Sequence, residues 1–157
     1  MKFIVSFTTS PTRINKCGPM IHSILDQTRK PDLFLLNIPE TFARTGESYV
    51  IPKYIRKSLT VNQIDVDYGP ATKILPAVMY LRERAGDYDP ENTRIIYLDD
   101  DIAYPKRMIE TYEKTISAKD EDIVPFESVL EEAVERTGNR FLSRAGSTSL
   151  SSPAKSG

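Results

Sequence analysis

A single cysteine, a single histidine and the lack of any long apolar run set the first bounds on this chain. With Cys17 alone no internal disulfide can form, so the expected setting is a reducing compartment. A nucleophilic Cys17 needs a base, and the one histidine, His22, stands a helical turn and a half further on. The plainer reading makes Cys17 a small residue packed in a helix. No apolar run approaches the ~18 residues of a membrane-spanning helix, and Met1 leads into a strand without a charged-then-apolar leader. A cytoplasmic protein with no membrane span is therefore expected. An excess of one charge is missing too. With 21 Lys and Arg against 22 Asp and Glu, the formal net charge of −1 gives no electrostatic footprint for nucleic acid or an anionic membrane. A chain of 157 residues, 39% hydrophobic and 27% charged, has room for one globular domain with a real core.

What the chain does have is concentrated in residues 93–105. Ile95, Ile96, Tyr97 and Leu98 read as a buried strand, and the strand delivers Asp99, Asp100 and Asp101 at its C-terminal end. Adjacent carboxylates repel one another, and burying them unpaired is costly. A divalent cation with oxygen ligands is the usual remedy, and Mg²⁺ or Mn²⁺ suits carboxylates shared with phosphate oxygens. The alternative is a solvated acidic turn closing a strand.

Three other segments converge on that chemistry. Residues 2–9 form a strand candidate ending in a polar loop over 8–13, where Thr8, Thr9 and Arg13 suit a nucleotide or its phosphates; an ordinary strand-to-helix turn is the alternative. Residues 15–29 predict a helix with Met20, Ile21, Ile24 and Leu25 on its apolar stripe, its start delayed by Gly18-Pro19 and His22 off the stripe. A second buried strand over 32–39 contains Asn37, whose amide can read a base edge or cap a turn. Residues 40–52 have no period and read as a loop, 53–58 as a short helix and 59–65 as a third strand. The loop over 65–73 follows, with Gly69-Pro70 as its turn. Lys73 falls in the first turn of the next helix, where the dipole disfavours a cation unless an anion is bound, so a phosphate contact is expected. That helix carries Ile74, Leu75, Val78, Leu81 and Ala85, and Pro76 within it predicts a kink or a later start. Residues 105–118 predict a last helix with Met108, Ile109, Tyr112 and Ile116 buried.

The alternating order implies an α/β fold with a mostly parallel central sheet flanked by helices. In such a sheet the loops after strands one, three and four fall on one edge. The domain map expected is a core over 1–118, a helical extension over 119–138 and a Ser-rich disordered tail over 139–157.

With those loops in place, the chain resembles the nucleotide-binding half of GT-A glycosyltransferases, family-2-like, whose hallmark is an Asp-x-Asp motif. Within that group it is most similar to sugar transferase domains of large DNA viruses and of bacterial capsule clusters. The matching pieces are residues 4–14, Ser23 with Gln27-Thr28, residues 36–39, Asp67-Tyr68-Gly69-Pro70-Ala71-Thr72-Lys73 and Tyr97 to Ile102. The resemblance implies a Rossmann-like GT-A nucleotide-sugar-binding domain using Mn²⁺ or Mg²⁺ and a nucleotide-sugar, UDP-sugar above others. Asp101 would hold the metal on the donor diphosphate, and Asp99 the ribose or a metal-bound water, with Asp100 among the donor-binding residues. Thr8, Thr9 and Arg13 would line the nucleoside and diphosphate, Lys73 would meet the phosphates, and Asp67 and then Asn37 are candidates for the base. The implied reaction is inverting transfer to an acceptor hydroxyl of a glycan.

No catalytic base is marked: Asp120, Glu121 and Asp122 read as a solvated cluster. Little chain follows Asp101 for an acceptor side, which leaves room for a second copy or a partner chain to complete it. A non-catalytic nucleotide-sugar-binding or partner-binding remnant is the second reading. A phosphotransfer domain with an aspartyl nucleophile is the third, and it is disfavoured because the first strand ends in threonines.

Overall fold

Strand β1 (Lys2–Phe7) is the spine of the molecule, which a computed structural model describes over residues 1–118. Its aromatic and β-branched residues suit a strand buried on both faces, and Phe3, Ile4, Val5 and Phe7 are all fully buried. It pairs in parallel with β2 (Leu33–Pro39) on one side and β4 (Thr93–Leu98) on the other, and β3 (Thr60–Ile64) lies parallel beside β2. The sheet therefore runs β3-β2-β1-β4, all parallel, with helices against it, an architecture compatible with a Rossmann-like fold.

Alternation along the strands gives the sheet two unlike faces. Phe3, Val5 and Phe7 join Phe34, Leu36 and Ile38 in one apolar cluster. Helix α1 (Gly18–Leu25), helix α2 (Lys53–Ser58) and helix α4 (Met108–Ala118) cover it with Met20, Ile21, Ile24, Ile55 and Ile109. The opposite face presents Ser6 and Asn37 as well as apolar residues, and lies under a 3-10 turn (Gly69–Lys73) and helix α3 (Leu75–Arg82).

Several expected boundaries shift for local reasons. Helix α1 is shorter than the predicted 15–29: a 3-10 turn (Ile14–Lys16) precedes it, Pro19 sits in its first turn, and it ends at Leu25, which is exposed. Pro76 also falls in the first turn of α3, where its missing N–H costs nothing, so the later start occurs instead of a kink. Lys73 thus lies ahead of α3 and not in its first turn, and the dipole argument for a phosphate at Lys73 lapses. The expected buried strand over 95–98 is an edge strand: Ile95 and Ile96 are half-buried, Tyr97 is 54% exposed, and among the described residues β1 is its one neighbour. Tyr112, expected on the buried side of α4, is exposed. No helix among the described residues is long and apolar enough to cross a membrane. The expected extension over 119–138, the tail over 139–157 and the carboxylates of residues 120–122 lie outside the described residues.

Candidate functional site

The sheet changes direction at β1: the chain proceeds outward from β1 to β2 and β3, then returns to β4 on β1's other side. Loops leaving the carboxyl ends of β1 and β4 must diverge there, and the gap between them is where open parallel sheets bind ligands. A cleft of about 490 Å³ opens at this point, lined by loops from the ends of all four strands. That volume is within the ordinary range for a small-molecule site. The expected convergence of the loops after strands one, three and four holds.

β1 ends at Phe7, so Thr8 and Thr9 leave the sheet at the rim of the cleft, while β4 ends at Leu98 and places Asp99 and Asp100 there. The three carboxylates are not equivalent. Asp100 is 8% exposed, accepts a 2.6 Å hydrogen bond from Thr9 Oγ1 and is paired with the Arg13 guanidinium. This middle carboxylate ties the β1 loop to the β4 turn. Asp99 and Asp101 keep 58% and 64% of their side chains exposed. Asp99 accepts from Lys73 Nζ at 2.9 Å, and Asp101, just outside the cleft lining, meets Arg13 Nη2 at 3.2 Å. Lys73 Nζ also lies 5.3 Å from the centre of the Tyr97 ring.

No group of three or more His, Cys, Asp or Glu side chains among the described residues is arranged to hold a metal by itself. The triad offers two exposed carboxylates flanking a buried one. One or two carboxylates completed by ligand phosphates is how Mg²⁺ is commonly held, so the donor set fits a hard cation shared with a phosphorylated ligand.

Asp67 lines the cleft and organises it. Its Oδ1 accepts from the Gly69 N–H at 2.8 Å and from Thr72 Oγ1 at 3.4 Å, closing the turn that Gly69 permits with φ +59°. Its Oδ2 accepts from the Ala43 N–H at 2.9 Å and so holds the loop after β2 against the cleft. That loop supplies a wall the sequence reading left unassigned, with Phe42, Arg44 and Tyr49 lining it. Phe42 meets Tyr49 edge-on at 6.4 Å, and the Tyr49 hydroxyl donates to the Thr9 carbonyl at 2.8 Å. Burial, and next the charge of Asp67, push the Tyr49 phenol well above its usual range, which keeps it a donor. Two aromatic residues within a loop that has no period are the available signal.

Asn37 is not in the cleft. It is fully buried in the sheet, donates to Ser6 Oγ at 2.8 Å and accepts from Asn62 Nδ2 at 2.8 Å. Ser6 Oγ in turn donates to the Lys73 carbonyl at 2.7 Å. The expected base reader is instead a middle link, between Asn62 and Ser6, in a chain of hydrogen bonds that pins the backbone of Lys73.

Ser23, Gln27 and Thr28 brace the segment after the acidic turn. The buried Gln27 amide donates to the Ser23 and Pro105 carbonyls at 3.0 and 2.7 Å, and its oxygen accepts from the Ile109 N–H at 3.1 Å. The Tyr104 N–H donates to Ser23 Oγ at 3.0 Å, and the Tyr104 hydroxyl accepts from the Asp99 N–H at 3.0 Å. Cys17 is a packed residue just ahead of α1, its thiol pKa raised by burial and its contacts made to Thr9 Oγ1 and the Arg13 carbonyl, while His22 is exposed. Comparison with protein-family models, with curated proteins and with solved structures finds no match for this chain.

Proposed function

We propose that this chain is the donor-binding domain of a metal-dependent GT-A glycosyltransferase, taking a nucleotide-sugar, with UDP-sugar as the preferred donor. One observation carries the reading: two exposed carboxylates, Asp99 and Asp101, stand beside Lys73 and Arg13 at the point where the parallel sheet reverses its strand order. That pairs hard oxygen donors with cations suited to phosphate, beside a cleft of nucleotide size. Asp101 and Asp99 would hold Mn²⁺ or Mg²⁺, which supplies charge neutralisation on a departing nucleoside diphosphate. Arg13 and Lys73 would add to it, Thr8 and Thr9 would line the nucleotide, and Asp67 would offer an acceptor to the base. Asp100 holds Arg13 and Thr9 in register for this.

A second reading, donor binding without transfer, is favoured by the state of the cleft carboxylates. Asp67, Asp99 and Asp100 are each engaged by hydrogen bonds or cations, and the one histidine is elsewhere. No carboxylate lining the cleft stands free to take a proton from an acceptor hydroxyl.

Calorimetric titration of UDP, with GDP and dTDP as controls, tests the site. Binding in Mn²⁺ that weakens markedly in EDTA and in Asp101→Asn is the expected result. Binding indifferent to metal and to the substitution removes the metal role of Asp101, and no binding of any nucleotide sinks the reading. Hydrolysis of UDP-sugars then separates an enzyme from a donor-binding module.

A further inference from the structure

The groups assigned to the diphosphate and those assigned to the metal are bound to each other in this structure. Lys73 Nζ is 2.9 Å from Asp99 Oδ1, and Arg13 spans Asp100 and Asp101, 3.2 Å from the latter's Oδ2. We propose that the cleft is self-paired. The cations must leave Asp99 and Asp101 before those carboxylates can take a divalent ion, and they become free for a diphosphate by that same exchange. A divalent cation and a nucleoside diphosphate then bind as a pair, each strengthening the other. The inference rests on the nucleotide-and-metal reading above.

Three observations support the exchange. The pairs that must open are exposed on the carboxylate side, Asp99 by 58% and Asp101 by 64%, with Arg13 half-exposed and Lys73 24% exposed. Ion pairs in that setting are weak and open at little cost. The pair that must persist, Asp100 with Arg13, is buried on the carboxylate side and locked by Thr9, so Arg13 can give up Asp101 without losing its anchor. Tyr97 gives Lys73 a second resting place, its ring 5.3 Å from Nζ, so a lysine released from Asp99 stays at the cleft.

Charge counting gives the sign of the coupling. Three carboxylates against Arg13 and Lys73 leave the cluster one unit negative. A divalent ion alone makes it positive, and a diphosphate alone makes it strongly negative. Together they return it near its starting charge. Each ligand therefore relieves the imbalance the other creates.

The test uses calorimetry and manganese electron paramagnetic resonance on the full chain, with MnCl2 and UDP as probes. In the wild type, saturating Mn²⁺ should tighten UDP by about 10-fold or more, and saturating UDP should tighten Mn²⁺ by the same factor. Lys73→Met should tighten Mn²⁺ alone, weaken UDP in Mn²⁺ by about 10-fold, and reduce the coupling below its wild-type value. Asp99→Asn offers the reciprocal measurement: with Lys73 released, UDP in EDTA should bind more tightly than it does to the wild type. Mn²⁺ affinity unchanged or weaker in Lys73→Met, with UDP still binding in Mn²⁺, overturns the self-pairing and leaves the proposed function standing. Equal UDP affinity for wild type and Asp99→Asn in EDTA also overturns it. Failure of the wild type to bind UDP under any metal condition removes both.

Discussion

The two faces of the sheet do different work. On the side of α1, α2 and α4 the strands present Phe3, Val5, Phe7, Phe34, Leu36 and Ile38, an apolar surface with no hydrogen-bonding demands. On the side of α3 the same strands present Ser6 and Asn37, which with Asn62 reach up to the backbone at Lys73 and Pro76. Apolar contact is non-directional and tolerates small slides; a chain of hydrogen bonds does not. The first face thus supplies most of the stability, and the second fixes where one short segment lies. Since that segment carries Lys73, the polar face is the one coupled to the cleft.

The apolar face is the place to break this contrast hardest. Phe7 is fully buried, with its ring 5.5 Å from that of Phe34. Phe7→Ala should cost about 3–5 kcal/mol, a large part of a typical domain's total, read as a drop in the urea midpoint with UDP affinity of the folded fraction retained. A loss under about 2 kcal/mol would mean that stability does not reside chiefly on this face.

Gln27 is the polar exception on the apolar side. Gln27→Met keeps the volume but strands the Ile109 N–H and leaves the Pro105 carbonyl with the Met108 N–H alone, and should cost roughly 1–3 kcal/mol. Since those groups flank Tyr104, whose hydroxyl accepts from the Asp99 N–H, Mn²⁺-dependent UDP binding should weaken as well. Full affinity in a destabilised protein would confine Gln27 to fastening α1 and α4.

Asn37 sharpens the comparison from the other face. Asn37→Ala leaves Ser6 and Asn62 short of partners and should cost about 1–3 kcal/mol in denaturant titration. UDP and GDP affinities should fall together, through Lys73. A change in the preference for UDP over GDP with no loss of stability would restore the base-reading role expected from the sequence.

These residues also mark what was legible in the chain. β1, β2 and the acidic turn were readable because each is a local pattern: an apolar run, then small hydroxyls or carboxylates. The shared cleft followed from topology, since parallel strands put successive carboxyl ends on one edge. Asn37 was misread because a polar residue in a strand gives no sign of which face it takes or whether a partner such as Ser6 waits there. The edge position of β4 was hidden for a related reason: strand order depends on pairings between distant segments, and an apolar run reads alike in the middle and at the edge. The wall from Phe42 to Tyr49 depends on a turn through Gly46 at φ +73° and on Asp67 far along the chain, so no local period announces it.

The smallest effect is expected at the surface of α4, beyond both faces. Glu110 accepts from Arg107, Lys114 and Thr28, and these partners, Arg107 first, pull its carboxyl from 4.5 down to about 2. A carboxylate whose pKa is lower folded than unfolded binds fewer protons in the native state, so it adds stability above its unfolded pKa. That contribution is complete above about pH 5 and fades as pH falls from 4.5 toward 2. Thermal melts of wild type and Glu110→Gln should therefore differ at pH 7, with the wild type higher, and converge as the pH approaches 2. Because these partners are exposed, 1 M NaCl at pH 7 should also narrow the gap, which burial of Phe7 or Asn37 would not allow. A gap that widens on acidification would mean that the charge of Glu110 opposes folding, and that α4 is held by the apolar face alone.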